Sequence, residues 1–334
     1  MPITTQVIEN VIKELKRSER VVITTHKIPD GDALGSELAL FYYLRGLGKS
    51  VTIINHSRTP VNLGFIENNT VNVFEDDEAE NLRRINEADL LILTDTNKYD
   101  RAGISGEHFA VKNTKKICID HHMDIDLKQF DLALSDEESP STCQIIFEML
   151  KHDKEFKLTE EISSALYLGI MTDTGGFRYP RTDKRTFLAA ADLVESGADP
   201  VELYDRIYSN ETLDKLKLKS VFISNISISV GGKVAIGTLL QDDIKKSGVN
   251  ESDLEGFTTI LMEIRGVKVG IKILELKFGF KLSFRSKDYN IKMNRLAEEF
   301  GGGGHIQASG ATIHGASYLD ILNKLNKILP KYIN

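Results

Sequence analysis

Cysteine is scarce: only Cys118 and Cys143 occur among 334 residues. They are not spaced as a paired thiolate metal site, and two thiols make no disulfide framework. Both read as small buried packing residues, Cys118 inside the apolar run KKICID. No apolar run approaches the roughly 20 residues that cross a bilayer, so no membrane-spanning helix is expected. The opening MPITTQVIEN lacks both a basic start and an apolar stretch, so no secretory signal is expected and the cytoplasm is the expected location. Basic charge is not in excess either. Lys plus Arg number 42 against 49 Asp plus Glu, a formal net charge of -7. Such a chain has no global field to hold a long nucleic-acid duplex, although a local pocket can still take a short anion. Internal repeats and low-complexity tails are also missing.

What is present is an ordinary globular balance, 41% hydrophobic and 27% charged. The length exceeds what one hydrophobic core usually supports, so two domains are expected. Residues 6–17 repeat Val7, Ile8, Val11, Ile12 and Leu15 at helical spacing. VVITT (21–25), VTIIN (51–55), LLILT (90–94) and KKICI (115–119) read as buried strands, 71–74 as a weaker one, and 33–47 as a helix closed by Gly48. Strands alternating with helices predict an α/β fold, with an N-terminal mostly parallel sheet and helices on both faces. Further helices are expected at 141–151, 160–171, 183–196 and 201–219. After residue 220 the pattern changes. FISNISISV and KVAIGTLL predict a hairpin around Gly231–Gly232, and 269–277 and 280–285 read as adjacent strands. Helices follow at 289–299 and 318–327, so the second domain is a smaller α+β unit. The expected division is 1–185, a helical linker at 186–215, and 216–334.

The polar clusters fall at strand ends, where ligands of parallel sheets bind. TTHKIPDGDALGS (24–36) carries His26, Asp30 and Asp32 just beyond a strand; Asp95 and Asp120-His121-His122 follow two others; a helical segment leads to Asp173. Neutral imidazole with hard carboxylate oxygens suits Mn²⁺, Zn²⁺ or Fe²⁺. Asp30, Asp32, Asp95, Asp120 and Asp173 gathered on one rim would repel one another strongly. Two divalent ions offset that charge, +4 against -5. Paired ions of this kind stand about 4 Å apart and require a bridging carboxylate.

HKIPDGD at 26–32, DTN at 95–97, DHH at 120–122 and DTG at 173–175 resemble the four motifs of the DHH phosphoesterase superfamily, which includes RecJ-like exonucleases and manganese-dependent inorganic pyrophosphatases. SFRS (283–286) and GGGGHIQASG (301–310) resemble its DHH-associated nucleotide-binding domain. Together they look like the nanoRNase, or oligoribonuclease and pAp-phosphatase, branch. The resemblance implies that His26, Asp30 and Asp95 hold one metal, and that Asp32, Asp95, His121 and Asp173 hold a second, with Asp95 bridging. It implies two divalent ions, most readily Mn²⁺, with Mg²⁺ or Co²⁺ as alternatives. It assigns catalysis to Asp95, to His122 beside the scissile phosphate, and to Asp120, orienting a ligand histidine. The implied reaction is attack of metal-activated water on phosphorus in short single-stranded oligoribonucleotides or 3′-phosphoadenosine 5′-phosphate (pAp). Cyclic di-AMP or pApA phosphodiesterase, inorganic pyrophosphatase and a non-catalytic nucleotide sensor are the alternatives. A homodimer is a family-level expectation.

In the second domain, Gly302, Gly303 and Gly304 leave backbone N–H groups open to an anion, and Arg285 and His305 are shaped to hold a terminal phosphate. Arg265, expected at a strand end, and Arg101, expected at the rim of the active site, are further substrate-binding candidates. Arg178 and Arg181 are candidates for phosphate contact, and Phe177 and Tyr179 for base stacking or for packing. His56, His108, His152 and His314 read as ordinary histidines away from the motifs.

Overall fold

The structure, a computed structural model, describes residues 3–250, 254, 256–304 and 306–333. The chain divides into two compact units, 1–210 and 211–334. The first runs α1 (Thr5–Arg17), β1 (Arg20–Thr24), α2 (Gly31–Gly46), β2 (Ser50–Asn55), α3 (Gly64–Glu67), β3 (Val71–Val73), α4 (Glu78–Glu87), β4 (Leu90–Thr94), α5 (Gly103–Val111), β5 (Lys115–Asp120), β6 (Leu132–Ser135), α6 (Thr142–Lys151), α7 (Glu160–Asp173), α8 (Lys184–Glu195) and α9 (Pro200–Tyr208). The strands form one parallel sheet in the order β3-β2-β1-β4-β5-β6. Strand order therefore reverses between β1 and β4, the switch point at which open α/β sheets bind ligands.

The central strands read as continuous apolar runs because both their faces are covered. Val21, Ile23, Ile53, Leu90, Ile92, Ile117 and Ile119 join one core with α1, α2, α6 and α7. The alternate residues Val22, Ile54 and Leu91 pack on the other face with Ile85 and Phe109 of α4 and α5. Helices α8 and α9, expected in the linker, send Ala189, Ala190, Leu193 and Leu203 into the first core. Strand β6 was not legible in the sequence, since only one of its four residues is fully buried.

Two glycines set the helix packing beneath the switch point. A Cβ on Gly35 would fall 2.3 Å from the carbonyl oxygen of Ala165, and one on Gly169 would fall 2.2 Å from Cys143 Sγ. Helices α2, α6 and α7 thus approach with no side chain between them at these points. A Cβ on Gly31 would strike the Thr172 side chain. The start of α2 therefore lies against the end of α7, which brings Asp30 and Asp32 to Asp173.

The second unit runs α10 (Leu213–Ser224), β7 (Ser227–Ser229), β8 (Val234–Leu239), α11 (Gln241–Ser247), α12 (Phe257–Glu263), β9 (Val269–Leu276), β10 (Gly279–Ser286), α13 (Met293–Glu298), β11 (Gly303–Gly304), β12 (Ala308–His314) and α14 (Tyr318–Tyr332). Its mixed sheet has the order β11-β12-β10-β9-β8-β7, with β8 and β9 parallel. FISNISISV is only partly strand. Leu218 and Phe222 share one helical face and are fully buried, which carries α10 through Ser224. Among the described residues no helix is long and apolar enough to cross a membrane.

Candidate metal centre

Thr25, just past β1, donates its hydroxyl to the Thr94 carbonyl at 2.9 Å, tying the β1 exit to β4. Asp30 caps α2: its Oδ1 accepts the amides of Asp32 and Ala33, each at 3.1 Å. Its Oδ2 lies 3.8 Å from His26 Nε2. Asp32 is fully buried in the first turn of α2, and its two oxygens accept the amides of Thr142 at 2.6 Å and Cys143 at 2.9 Å. Those amides open α6, so the unpaired N–H groups of a helix start anchor this carboxylate.

Asp95 leaves β4 with φ at +54°, a conformation uncommon outside glycine and frequent where function fixes the backbone. Its amide donates to the Ile119 carbonyl at 3.0 Å, and Thr142 Oγ1 donates to its Oδ1 at 2.9 Å. The two carboxylate oxygens face different histidines. Oδ2 is 3.3 Å from His26 Nε2, and Oδ1 is 3.4 Å from His121 Nε2. His121 Nε2 also lies 3.3 Å from Asp173 Oδ2 and 3.9 Å from Asp32 Oδ2.

Ligand atoms lying within 4.8 Å of one another define three overlapping sets: His26, Asp30 and Asp95; Asp32, His121 and Asp173; and Asp95, His121 and His122. Asp95 stands between the first two. Burial raises the Asp95 carboxyl well above the usual range, and the neighbouring Asp32, Asp30 and Asp120 push it further. Burial likewise raises Asp173, reinforced by Asp32, Asp30 and Asp95 and opposed by Arg181. Burial lowers His121, favouring the neutral imidazole that a metal requires. Asp32 and Asp95, buried among other carboxylates, are costly unless cations join them. The donor set, oxygen-rich with two imidazoles, fits divalent ions.

Asp120 departs from its expected role. Its Oδ1 lies 2.7 Å from His122 Nδ1, and its Oδ2 accepts from Asn97 Nδ2 at 2.8 Å. The Nδ1 of His121 instead faces the Ser139 carbonyl at 3.4 Å. Asp120 therefore orients His122 rather than one of the histidines expected to bind metal. Asn97 also donates to the carbonyls of His122 and Met123, at 3.3 and 3.1 Å, and so clamps the turn after β5. Asn97 lay inside the DTN triplet without a role. Thr142 carried no sequence signal, because only the tertiary fold brings it to Asp95.

The remaining candidates scatter more. Arg101 is half-buried beside the β1 exit, where its carbonyl accepts the Lys27 amide at 2.7 Å. His56 also belongs to this rim, at the end of β2: a Cβ on Gly103 would meet its ring. Arg265 is exposed in the turn after α12, not at a strand end. Arg181 faces Asp173 electrostatically, while Arg178 donates Nε to the Gly175 carbonyl at 2.9 Å. Phe177 packs between Tyr167 and Phe187.

In the second unit Arg285 lies on β10 opposite Ala308 of β12, whose other edge pairs with Gly303 and Gly304. The glycines thus form a short edge strand. A Cβ on Gly302 would fall 2.1 Å from the Gly310 carbonyl oxygen, and one on Gly304 would fall 2.7 Å from Ser309 Cα. A Cβ on Gly303 would meet nothing within 4 Å, so its backbone is open. His305 lies outside the described residues.

Comparison with known proteins finds a known domain in each unit. The model of the DHH family, N-terminal domain, matches residues 20–170, and that of the DHHA1 domain matches 231–332. The chain belongs to the DHH phosphoesterase superfamily and is a hydrolase of that class. Within it, the chain is similar to the nanoRNase-like branch. It is 28% identical over 306 residues to the bifunctional oligoribonuclease and PAP phosphatase NrnA of Bacillus subtilis, covering 91% of this chain and 92% of that protein. It is 27% identical to the NrnA of Thermus thermophilus, covering 92% and 88%. An exopolyphosphatase-related protein from Bacteroides fragilis, of known crystal structure, superposes with a TM-score of 0.94 at 28% identity, over 99% of both chains.

Proposed function

We propose that this chain hydrolyses short oligoribonucleotides and pAp at a centre of two divalent ions, most readily Mn²⁺. The observation that carries the reading is Asp95, whose two oxygens lie 3.3 and 3.4 Å from His26 and His121 of two separate donor sets. In this reading His26, Asp30 and Asp95 hold one ion, and Asp32, Asp95, His121 and Asp173 the other. When bound, such ions act as Lewis acids on the phosphoryl oxygens and activate water for attack on phosphorus.

The protein's own groups do the rest. The start of α6 holds Asp32, and Thr142 holds Asp95. Asp120 and Asn97 fix the His122 ring, which orients the phosphate or gives a proton to the departing oxygen. Arg285, the glycine edge strand and His305 bind a phosphorylated nucleotide end, and Arg101 and Arg265 are secondary contacts. The named relatives of Bacillus subtilis and Thermus thermophilus support this choice of substrate.

The test offers Mn²⁺-supplied protein pApA, pAp, cyclic di-AMP and pyrophosphate in parallel and compares initial rates. Turnover of pApA and pAp is expected to dominate. Preference for cyclic di-AMP would reassign the substrate, fast pyrophosphate turnover alone would refute the oligonucleotide reading, and nucleotide binding without any turnover would indicate a sensor.

A further inference from the structure

The turn that follows Asp173 is built around aromatic rings. Gly175 and Gly176 have φ of +58° and +71°, and Phe177 follows at +64°. A side chain at Gly175 is disfavoured on two counts. Its backbone is left-handed, and its Cβ would fall 2.5 Å from the Tyr179 ring. That ring therefore lies directly on the peptide two residues beyond Asp173. The nearest atom to a Cβ on Gly176 is Cε2 of Tyr204, at 3.9 Å, so a second ring borders the same turn. Tyr204 and Tyr208, one helical turn apart on α9, have ring centroids 4.8 Å apart. Asp199 accepts the amides of Val201 and Glu202, and Pro200 opens the helix, which fixes where α9 starts and hence where both rings stand.

These rings pack on the turn and on one another yet stay partly exposed. Tyr179, Tyr204 and Tyr208 remain 51%, 48% and 40% exposed, whereas Tyr43 and Tyr167 of the same unit are buried. Burial raises the Tyr208 hydroxyl to about 12, with smaller contributions from Tyr179, Tyr204, Arg178 and Asp173, so the ring lies within electrostatic reach of Asp173. Half-exposed aromatic rings beside such a centre suit a flat, hydrophobic group carried on a phosphate. A nucleobase is that group, and stacking accepts any base because each has a π face.

We infer that Tyr179, Tyr204 and Tyr208 form a stacking platform for the base of the nucleotide whose phosphate lies at the metal centre. This rests on the proposed nucleotide substrate and gives that substrate a binding determinant within the first unit. The platform contributes affinity for the base and leaves the chemistry of cleavage alone.

The test is calorimetric titration of the full chain with Mn²⁺, using AMP and ribose 5-phosphate as ligands that differ only in the base. Wild-type protein is expected to bind AMP more tightly. Tyr204→Leu, which keeps apolar bulk without a π face, is expected to weaken AMP binding about 5- to 150-fold, the usual range for loss of one base stack, and to leave ribose 5-phosphate unchanged. Tyr204→Phe should retain AMP binding, and Tyr208→Leu gives an independent substitution in the same platform. Equal affinity of the wild type for the two ligands, or equal loss of both in the leucine variants, would overturn the inference. The readout needs no turnover. Failure to hydrolyse any oligoribonucleotide would therefore count against the proposed function while leaving the stacking result intact.

Discussion

Gly169→Ala places a methyl group where three helices meet, and its outcome can be worked from the contacts. The new Cβ would stand 2.2 Å from Cys143 Sγ, 2.8 Å from Asp32 Oδ1 and 2.9 Å from Cys143 Cβ. Ordinary carbon contacts begin near about 3.5 Å, so something must move by roughly 1 Å. Two effects oppose each other. Alanine in a helix interior is favoured over glycine by about 1 kcal/mol. Overpacking a tight core costs about 1–3 kcal/mol. Loosening the amide bonds from Thr142 and Cys143 to the Asp32 carboxylate adds about 1.5–3 kcal/mol if one is lost, since its acceptor is charged. Destabilisation wins, by about 1.5–5 kcal/mol when these ranges are combined.

For a unit of this size about 2 kcal/mol corresponds to a melting shift of roughly 4–8 °C. Scanning calorimetry should therefore show the first unit melting earlier. Mn²⁺ titration should show weaker binding, because Asp32 is displaced. In a Cys143→Ala background the 2.2 Å clash disappears while the 2.8 Å approach to Asp32 stays. Melting should then recover more than Mn²⁺ affinity does. If Gly169→Ala melted at or above the wild type and bound Mn²⁺ equally well, helix propensity would have won and the packing argument would be wrong.

Further outcomes follow from other contacts. Glu37 is fully buried, Asn55 Nδ2 donates to it at 2.8 Å, and burial raises its carboxyl to about 8. The folded chain thus keeps a proton that the unfolded chain releases near its ordinary value of 4.5. Its contribution to stability is present below that value and lost as pH rises towards about 8. Glu37→Gln should gain stability relative to the wild type across that window, and urea unfolding at several pH values checks it. Asp120→Asn should reduce kcat by about 10- to 100-fold with little change in Mn²⁺ affinity, because it orients His122; a large loss of Mn²⁺ instead would make Asp120 a ligand. Arg285→Ala should raise KM for phosphorylated dinucleotides while kcat stays near the wild-type value. A fall in kcat alone would remove Arg285 from the binding role.

The sequence revealed the sheet where burial is symmetric. VVITT, LLILT and KKICI are strands covered on both faces, so their apolar runs are unmistakable. Strand β6 is mostly half-buried and left no such trace, and FISNISISV alternates convincingly although Leu218 and Phe222 hold its first part in a helix. At the candidate centre, residue types at strand ends gathered His26, Asp30, Asp32, Asp95, Asp120, His121, His122 and Asp173, and only the family resemblance sorted them into roles. Partners that depend on three-dimensional contact stayed hidden. Thr142 reaches Asp95 across 47 positions of sequence, and which histidine Asp120 serves is decided by the geometry of the β5 exit. Tyr204 and Tyr208 read only as helix residues until α9 was placed beside the Gly175–Gly176 turn.

Counting bound Mn²⁺ by calorimetric titration of the wild type and of Asp95→Asn tests the account at its centre. Two ions per chain are expected for the wild type, and a loss of at least one site together with phosphoesterase turnover for the variant. An unchanged ion count and unchanged turnover in Asp95→Asn would show that the carboxylate between the two histidines is not what joins the centre.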